Sequence, residues 1–590
     1  MKGPPLPPPR HPTVNDALAA AAATSSGITF VDLHEHEAFL SYREIYQRAA
    51  RTAAVLQALG VAPGDRVALV LPTSPAFMDA YFGVLLAGAV PVPLYPPVRL
   101  GRLAEYHAAT AGMIGAVEAR LVLADARTRA LLGQTVERSR PPLGYHEVAV
   151  LASESVAELA VDVSPDALGL IQFSSGSTAA PKPVALTHRS LMAQLAALHA
   201  LLPPEGRFPQ LGVSWLPLYH DMGLIGCLLL AIYYPGPLVL IPPEHFLARP
   251  GLWLRAIARH HATLSVAPTF GYALAAKRVK DEELAGLDLA SWQLAVCGAE
   301  PVSLPALQGF ARRFAPFGFD EGALRPVYGL AEASLAVTFA PPARPVEALG
   351  VDARQLAATG EVAAGARQIV SVGRPIPGAE VELRGAGGQL VPERTLGRIF
   401  VRGPSLMAGY FRQPEATARV LVDGWLDTAD VGFIASGELF VCGREKDAII
   451  IRGANHSPQE FEECLGGLDG VRAGCVVALG FVPEDGEGEE LIVLAERARH
   501  APPEDGDAAR VEAIRLAILE RTGIRPHTVR LLAPGTLPRT SSGKLRRAEA
   551  LRRFLAGELT PPRWMGRARL VLEAVRSALA FARMRFGRER

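Results

Sequence analysis

The stretch Ile171-Gln172-Phe173-Ser174-Ser175-Gly176-Ser177-Thr178-Ala179-Ala180-Pro181-Lys182 decides how the 590-residue chain is read. The apolar run Leu168 to Phe173 predicts a buried strand, and Ser174 to Thr178 predict a loop crowded with backbone N–H and hydroxyl donors. Side chains this small let the backbone close on an anionic phosphate chain. An ordinary Ser/Gly turn accounts for the same residues, so the rest of the sequence has to choose. A kinase- or ATPase-type phosphate loop is disfavoured, because Pro181 and Pro183 stand around Lys182 where glycine and Ser/Thr are needed.

Length alone asks for at least two domains. The formal net charge of +1 provides no bulk field for nucleic acid. Cys227, Cys297, Cys442, Cys464 and Cys475 stand singly with no C-x-x-C pair, as in a reduced cytoplasmic protein without a zinc site or disulfide frame. Met1 to Pro12 is proline-rich and lacks the apolar core of a signal peptide. The uncharged run Met222 to Ile241 is cut by Pro235-Gly236-Pro237, which predicts a buried helix followed by a strand rather than a transmembrane segment.

Taken in order, residues 1–25 read as a loose arm. Tyr42 to Leu59 has helical spacing, Arg66 to Leu71 is strand-like, Pro75 to Ala87 is a helix with its proline at the tolerated start, and Val90 to Tyr95 is extended. That alternation predicts a parallel α/β layer. It returns as a helix at Leu191 to Leu202 and another at Leu252 to His260, with strands at Gly212 to Leu216, Thr263 to Ala267 and Gln293 to Cys297. Short strands between Gly and Pro clusters from Val370 to Phe440 predict a β-rich subdomain. The charged break Gly443-Arg444-Glu445-Lys446-Asp447 separates a large domain (26–443) from a small α+β domain (448–556). In the last segment, 557–590, eight arginines face three glutamates, and Leu570, Val571, Val575, Leu579 and Phe581 fall roughly on one helical face. This predicts a basic amphipathic helix, packed on the body or meeting an acidic partner or a membrane surface.

Four more clusters carry candidate chemistry. Trp215-Leu216-Pro217-Leu218-Tyr219-His220-Asp221-Met222-Gly223 puts aromatics, an imidazole and a carboxylate into one turn after a strand. Tyr328-Gly329-Leu330-Ala331-Glu332 offers a ring to stack on a base and a carboxylate for Mg²⁺, which takes one or two protein carboxylates beside phosphate oxygens. Asp430, at the end of Asp423-Gly424-Trp425-Leu426-Asp427-Thr428-Ala429-Asp430, can accept from two ribose hydroxyls. Thr540-Ser541-Ser542-Gly543-Lys544 presents a lysine on a polar turn. Each has a plain alternative: a core histidine, a surface turn, a turn aspartate, a solvated lysine.

Together, in this order and spacing, the clusters resemble the adenylate-forming superfamily of acyl- and aryl-CoA synthetases, peptide-synthetase adenylation domains and luciferases, from about Tyr42 to Arg553. The resemblance implies a large α/β domain with a β-rich subdomain and a small, mobile α+β domain. It implies that Ser174, Ser175, Gly176, Ser177, Thr178 and Lys182 bind phosphate, and that Gly298, Ala299 and Glu300 with Tyr328 and Gly329 form the adenine pocket. By the same resemblance Asp430 binds ribose, Arg444 helps hold the nucleotide, Glu332 binds Mg²⁺, and residues 444–447 are a hinge centred on Lys446. Lys544 and His220 become the catalytic pair, and the substrates include ATP with Mg²⁺. The implied reaction is attack of a carboxylate on the α-phosphate, giving an acyl-adenylate and pyrophosphate. Ala179 and Pro183 depart from glycines usual in the phosphate loop, and Ala331 from a threonine common before the Mg²⁺ glutamate.

The branch resembled is the fatty acyl-AMP ligases. The similarity lies in Val92-Pro93-Leu94-Tyr95-Pro96-Pro97, Trp215 to Gly223, Phe314-Ala315-Pro316-Phe317-Gly318-Phe319, Tyr328 to Ser334 and Ile449 to Gln459, where His456 replaces the apolar residue usual in CoA synthetases. It implies an insertion, placed within residues 346–370, that restrains the small domain, a fatty-acid substrate and an acyl carrier protein as acceptor. Trp215, Phe270, Tyr272 and the run Leu224 to Leu230 are candidate walls for the acyl chain, with ordinary core packing as the other reading. The alternatives are a long-chain fatty acyl-CoA synthetase and, on the strength of Ala179 and Pro183, a non-catalytic binding protein of the same fold.

Overall fold

The computed structural model describes residues 1–590 except 98–99, 152–160, 175–180, 205–208, 343, 452, 484–488, 499–505, 541–543, 563–565 and 587–590. Local chemistry sets the first layer. Ser41 and Glu44 cap each other's backbone N–H groups and start the helix Tyr42–Ala58. Strands Val90–Leu94, Arg66–Val70, Leu121–Ala124 and Gly144–Glu147 then lie side by side, all parallel. The apolar, buried runs of the first three are what a sheet covered on both faces requires, while Gly144–Glu147 is the half-buried edge.

A nine-stranded sheet forms the second layer. Its centre is parallel, in the order Leu324–Gly329, Leu294–Cys297, Leu264–Ala267, Gly212–Ser214, Leu238–Leu240 and Gly27–Val31. Antiparallel strands close both edges. Between the layers, Leu168–Phe173 and Pro183–Thr187 form an antiparallel hairpin. Pro183, which has no N–H to donate, begins the second strand and accepts from Phe411 N at 2.7 Å.

The β-rich part follows, with Glu380–Arg384, Gly397–Arg402, Trp425–Ala435 and Glu438–Arg444 antiparallel. After a single turn at Glu445–Asp447 comes the small domain, a sheet of Val471–Phe481, Glu490–Arg497 and Thr528–Leu532 with helices Asp507–Thr522 and Arg547–Leu555. It is tied to the large domain by Arg553, 2.8 Å from Glu105, and by Arg102, which donates to the carbonyls of Thr536 and Thr560. Among the described residues no helix is long and apolar enough to cross a membrane.

Two expectations are corrected. Residues 1–25 are not a loose arm: the Met1 ammonium donates to Val381 O at 2.6 Å, and Gly3 N to Ala379 O at 2.8 Å. Helix Val14–Ala22 buries Val14, Ala17, Leu18 and Ala21 behind a Thr13/Asp16 capping box. The apolar residues of the last segment do not share one face. Helix Arg567–Phe586 packs Phe581 on the body, leaves Leu570 half-buried and leaves Val571, Val575 and Leu579 exposed.

Candidate active site

The ends of these elements converge on a cavity of about 660 Å³. One wall is the mouth of the Leu168–Thr187 hairpin, where Ser174 N donates to Lys182 O at 2.9 Å and Lys182 N to Ser174 Oγ at 3.1 Å. These two bonds pinch the loop between them. Ser175, Gly176, Ser177 and Thr178, expected on that loop, lie outside the described residues. The Lys182 ammonium sits 4.4 Å from the centre of the Tyr410 ring, and the Tyr410 hydroxyl donates to Glu332 Oε1 at 3.0 Å. Burial lowers the Lys182 pKa, Glu332 opposes the shift, and Lys446, Arg419 and Arg444 reinforce it. An arriving polyphosphate would add counter-charge to this group of cations.

Strand register builds the second wall. Asp430 pairs with Arg444 across the β-rich sheet, and its carboxylate accepts from Arg444 Nε at 3.2 Å and from the Tyr328 hydroxyl at 2.7 Å. Burial pushes the Asp430 carboxyl above its usual range, with Arg444 and Tyr328 opposing. Ala299 and Ala429 both line the cavity with left-handed backbone, φ 68° and 58°, a strain that side chains other than glycine seldom carry. Gly298 lies behind this wall, where a Cβ would meet Val327 Cγ2 at 2.6 Å; its lack of a side chain lets the strand Leu324–Gly329 approach.

The small domain closes the top with Lys544. Its N–H donates to Thr540 Oγ1 at 3.1 Å and its carbonyl accepts from Thr540 N at 2.7 Å, holding the polar turn. Burial lowers the Lys544 pKa, opposed chiefly by Asp221 and Glu300. His220 caps the short turn Asp221–Gly223, and its Nδ1 is 2.6 Å from Asp221 Oδ1. Burial would raise the Asp221 carboxyl, but His220 and Lys544 hold it below the usual range. Glu300 is set back from the cavity, accepting from Phe270 N at 2.7 Å, and burial raises its pKa.

Thus Ser174, Lys182, His220, Ala299, Tyr328, Gly329, Glu332, Asp430, Arg444, Lys446 and Lys544 surround one cavity. From this polar end it continues into an apolar arm walled by Leu198, Leu202, Leu230, Leu264, Val266 and Leu294. A smaller void of about 40 Å³ beyond the arm shares Leu202, Leu230, Leu264 and Val266 with it.

The expected acyl walls need correction. Trp215, Phe270 and Tyr272 do not line the cavity. Trp215 stacks on Phe246 at 3.8 Å, Phe270 packs edge-on to Trp215 at 5.7 Å, and Tyr272 belongs to a cluster with Trp253, Trp292 and Phe310. The Tyr272 hydroxyl is spent on Val296 O at 2.9 Å. Of the run Leu224 to Leu230, Gly226 and Leu230 do line it. Sequence reasoning did not single out Asp221 or Tyr410 for the site. Asp221 adjoins His220 in the quoted turn and could have been chosen with it; Tyr410 follows no motif.

The segment 346–370 is itself structured. Strands Ala348–Val351 and Arg367–Val370 pair, with helix Ala353–Thr359 between them. Arg367 reaches into the small domain, donating to Ser457 Oγ at 2.9 Å and lying 3.7 Å from Glu463. Nearby, His456 is buried and 3.1 Å from the buried Glu460 carboxylate, a polar pair where an apolar residue would leave Glu460 without that partner.

Comparison with known proteins gives a consistent result. A profile of the AMP-binding enzymes matches residues 18–411. A Caulobacter vibrioides protein whose name assigns it provisionally to the acyl-CoA synthetases is 36% identical over 558 residues, 92% of this chain and 96% of its own. The long-chain-fatty-acid–AMP ligase FadD26 of Mycobacterium marinum is 31% identical over 548 residues, 87% of this chain and 91% of its own. A structure from work on fatty acyl-adenylate ligases of E. coli and L. pneumophila superposes with a TM-score of 0.87 at 35% identity, covering 94% of this chain and 99% of that one.

Proposed function

The chain belongs to the AMP-binding enzyme family, and from that premise we propose that it is a fatty acyl-AMP ligase. It activates a medium- or long-chain fatty acid with ATP and passes the acyl group to the phosphopantetheine thiol of an acyl carrier protein. The observation that carries this reading is the single cavity that is ionic at one end and aliphatic at the other. At ~0.8 kcal/mol per buried CH₂, a chain of about ten methylenes gains up to ~8 kcal/mol in such an arm.

In the first step a carboxylate oxygen of the acid bonds to the α-phosphorus of ATP, and the bond from that phosphorus to the pyrophosphate oxygen breaks. In the second, the carrier thiolate attacks the acyl carbon and AMP leaves. Positioning and charge neutralisation govern a transfer of this kind. Asp430, held by Tyr328 and Arg444, accepts the ribose hydroxyls. Lys182, Arg444 and Lys446 receive the phosphates. Lys544 stands where the acid's carboxylate and the α-phosphate, both negative, must meet. Glu332 fits a Mg²⁺ ion, since its carboxylate lines the ionic end and a phosphate-bound Mg²⁺ needs only one or two protein carboxylates. When bound, that ion supplies further counter-charge to the phosphates.

The carrier-protein acceptor is supported by the structured segment 346–370 and its Arg367 contacts. These oppose reorientation of the small domain toward free CoA. Pyrophosphate release should require ATP, Mg²⁺ and a fatty acid, with acyl product forming on a holo carrier protein and little or none on CoA. Rapid acyl-CoA formation would make the protein an acyl-CoA synthetase. No release across a chain-length panel would leave a binding protein.

A further inference from the structure

Helix Arg567–Phe586 has two faces, and the fold uses one. The inner face packs on helix Ala126–Ser139. The buried Ser577 hydroxyl accepts from Gly133 N at 2.8 Å and donates to Arg129 O at 3.1 Å, while Phe581 lies 5.2 Å from the Tyr145 ring. A Cβ on Gly133 would stand 2.1 Å from Ser577 O, so the approach is as close as backbone allows. This seat fixes which way the other face points.

The outer face is apolar and uncovered. Val571, Leu572, Val575 and Leu579 are 63%, 47%, 49% and 53% exposed, with Ala568 and Ala578 beside them. Helical periodicity puts these six on one stripe that holds no acidic residue. Arg569, Arg576 and Arg583 border the stripe at seven-residue spacing. Arg576 and Arg583 lean back on Glu573 and Glu137, at 2.7 and 3.0 Å, which keeps them along the border rather than over the stripe.

We propose that this outer face seats the protein on an anionic lipid surface. Charge selects that occupant. Residues 557–590 carry +5 (eight Arg less three Glu), so with a whole-chain charge of +1 the rest of the protein sums to −4. The segment that bears the exposed aliphatic stripe is therefore the positively charged part of the sequence. A phosphate headgroup layer complements the arginines, and the acyl boundary beneath it takes Val571, Leu572, Val575 and Leu579. A second copy of the same face would set one arginine row against another, which repulsion disfavours.

The test is flotation of the full chain with vesicles of phosphatidylglycerol in phosphatidylcholine, against phosphatidylcholine alone. Binding is expected to the anionic vesicles only, weakening as salt is raised. The double variant Val575→Glu, Leu579→Glu should bind roughly tenfold or more weakly. Both positions are exposed, so its melting temperature and its pyrophosphate release with a short, water-soluble acid should match the parent. No binding at low salt, equal binding to neutral vesicles, or equal binding by the variant would overturn the proposal. So would a self-association, or retention of an acidic protein, that the variant abolishes in the absence of vesicle binding. None of the vesicle readouts depends on turnover, so they fail or succeed separately from the catalytic reading.

Discussion

Replacing Lys544 by alanine tests the site most directly. In the folded protein its ammonium lies in a buried setting with Asp221 and Glu300 as its principal counter-charges. Truncation removes the cation and leaves Asp221 in the cavity wall, with Glu300 behind it, where an anionic substrate must arrive. A charge-assisted hydrogen bond contributes ~1.5–3 kcal/mol, and a donor aimed at developing charge in a water-excluded site accounts for roughly 10²- to 10³-fold in rate. Lys544→Ala should therefore lower the rate of adenylation by about that factor. ATP affinity should change less than about threefold, because Lys182, Arg444, Lys446 and Asp430 remain. Pyrophosphate release gives the rate, and calorimetric titration with ATP gives the affinity. A pH series adds a second readout. The ammonium must be protonated to act, and burial places its pKa below the ordinary lysine range. Activity is then full below that pKa and falls as pH rises through it, earlier than a free lysine would titrate. The variant should lose this alkaline limb. A wild-type rate, an unchanged limb, or equal losses of rate and ATP affinity would refute the role.

Two further outcomes follow from buried groups. Gly226 lines the apolar arm, and a Cβ there would meet Leu335 Cδ2 at 2.9 Å. Gly226→Val should thus depress pyrophosphate release with long acids more than with short ones, and an unshifted chain-length profile would place the acyl chain elsewhere. His188, whose Nδ1 accepts from Val14 N at 3.2 Å, has its pKa lowered to about 4 by burial, with Asp16 opposing. The unfolded chain then takes up the proton first, so stability is full above the unfolded pKa near 6.5 and is lost as pH falls toward 4, by about 2 kcal/mol at pH 5. Thermal melts at pH 7 and pH 5 should show a drop that shrinks in His188→Gln.

Much of the architecture could be read from the chain because it is written in short-range pattern. The apolar runs at Arg66–Val70, Leu264–Ala267 and Leu294–Cys297 are strands, and the Gly/Pro spacing after residue 370 marks the β-rich part. The charged side chains of the cavity come from clusters of distinctive chemistry, such as Tyr328 to Glu332. Its aliphatic arm does not. Leu198, Leu264 and Leu294 arise from a helix and two strands, and periodicity separates buried from exposed without telling filled space from a void. Trp215 and Tyr272 were attractive for their chemistry, yet large rings are satisfied by one another, and here they are. The N-terminal segment misled for another reason. Its Thr13-x-x-Asp16 signal was legible, but the seat of Met1 on Val381 joins positions 380 residues apart, which no local pattern contains.

The small domain is moored at both of its sequence ends. At one, the Glu445–Asp447 turn leads out of the β-rich sheet; at the other, the chain returns and its last helix locks Ser577 against Gly133. A body on a single pivot swings freely, whereas one fastened at two separated points turns only about the line joining them. Any wider swing has to part the contacts of Arg553 with Glu105 and of Arg102 with Thr536. The rate at which they part then sets an upper limit on every step that needs the small domain in another pose, whatever the speed of the chemistry in the cavity below.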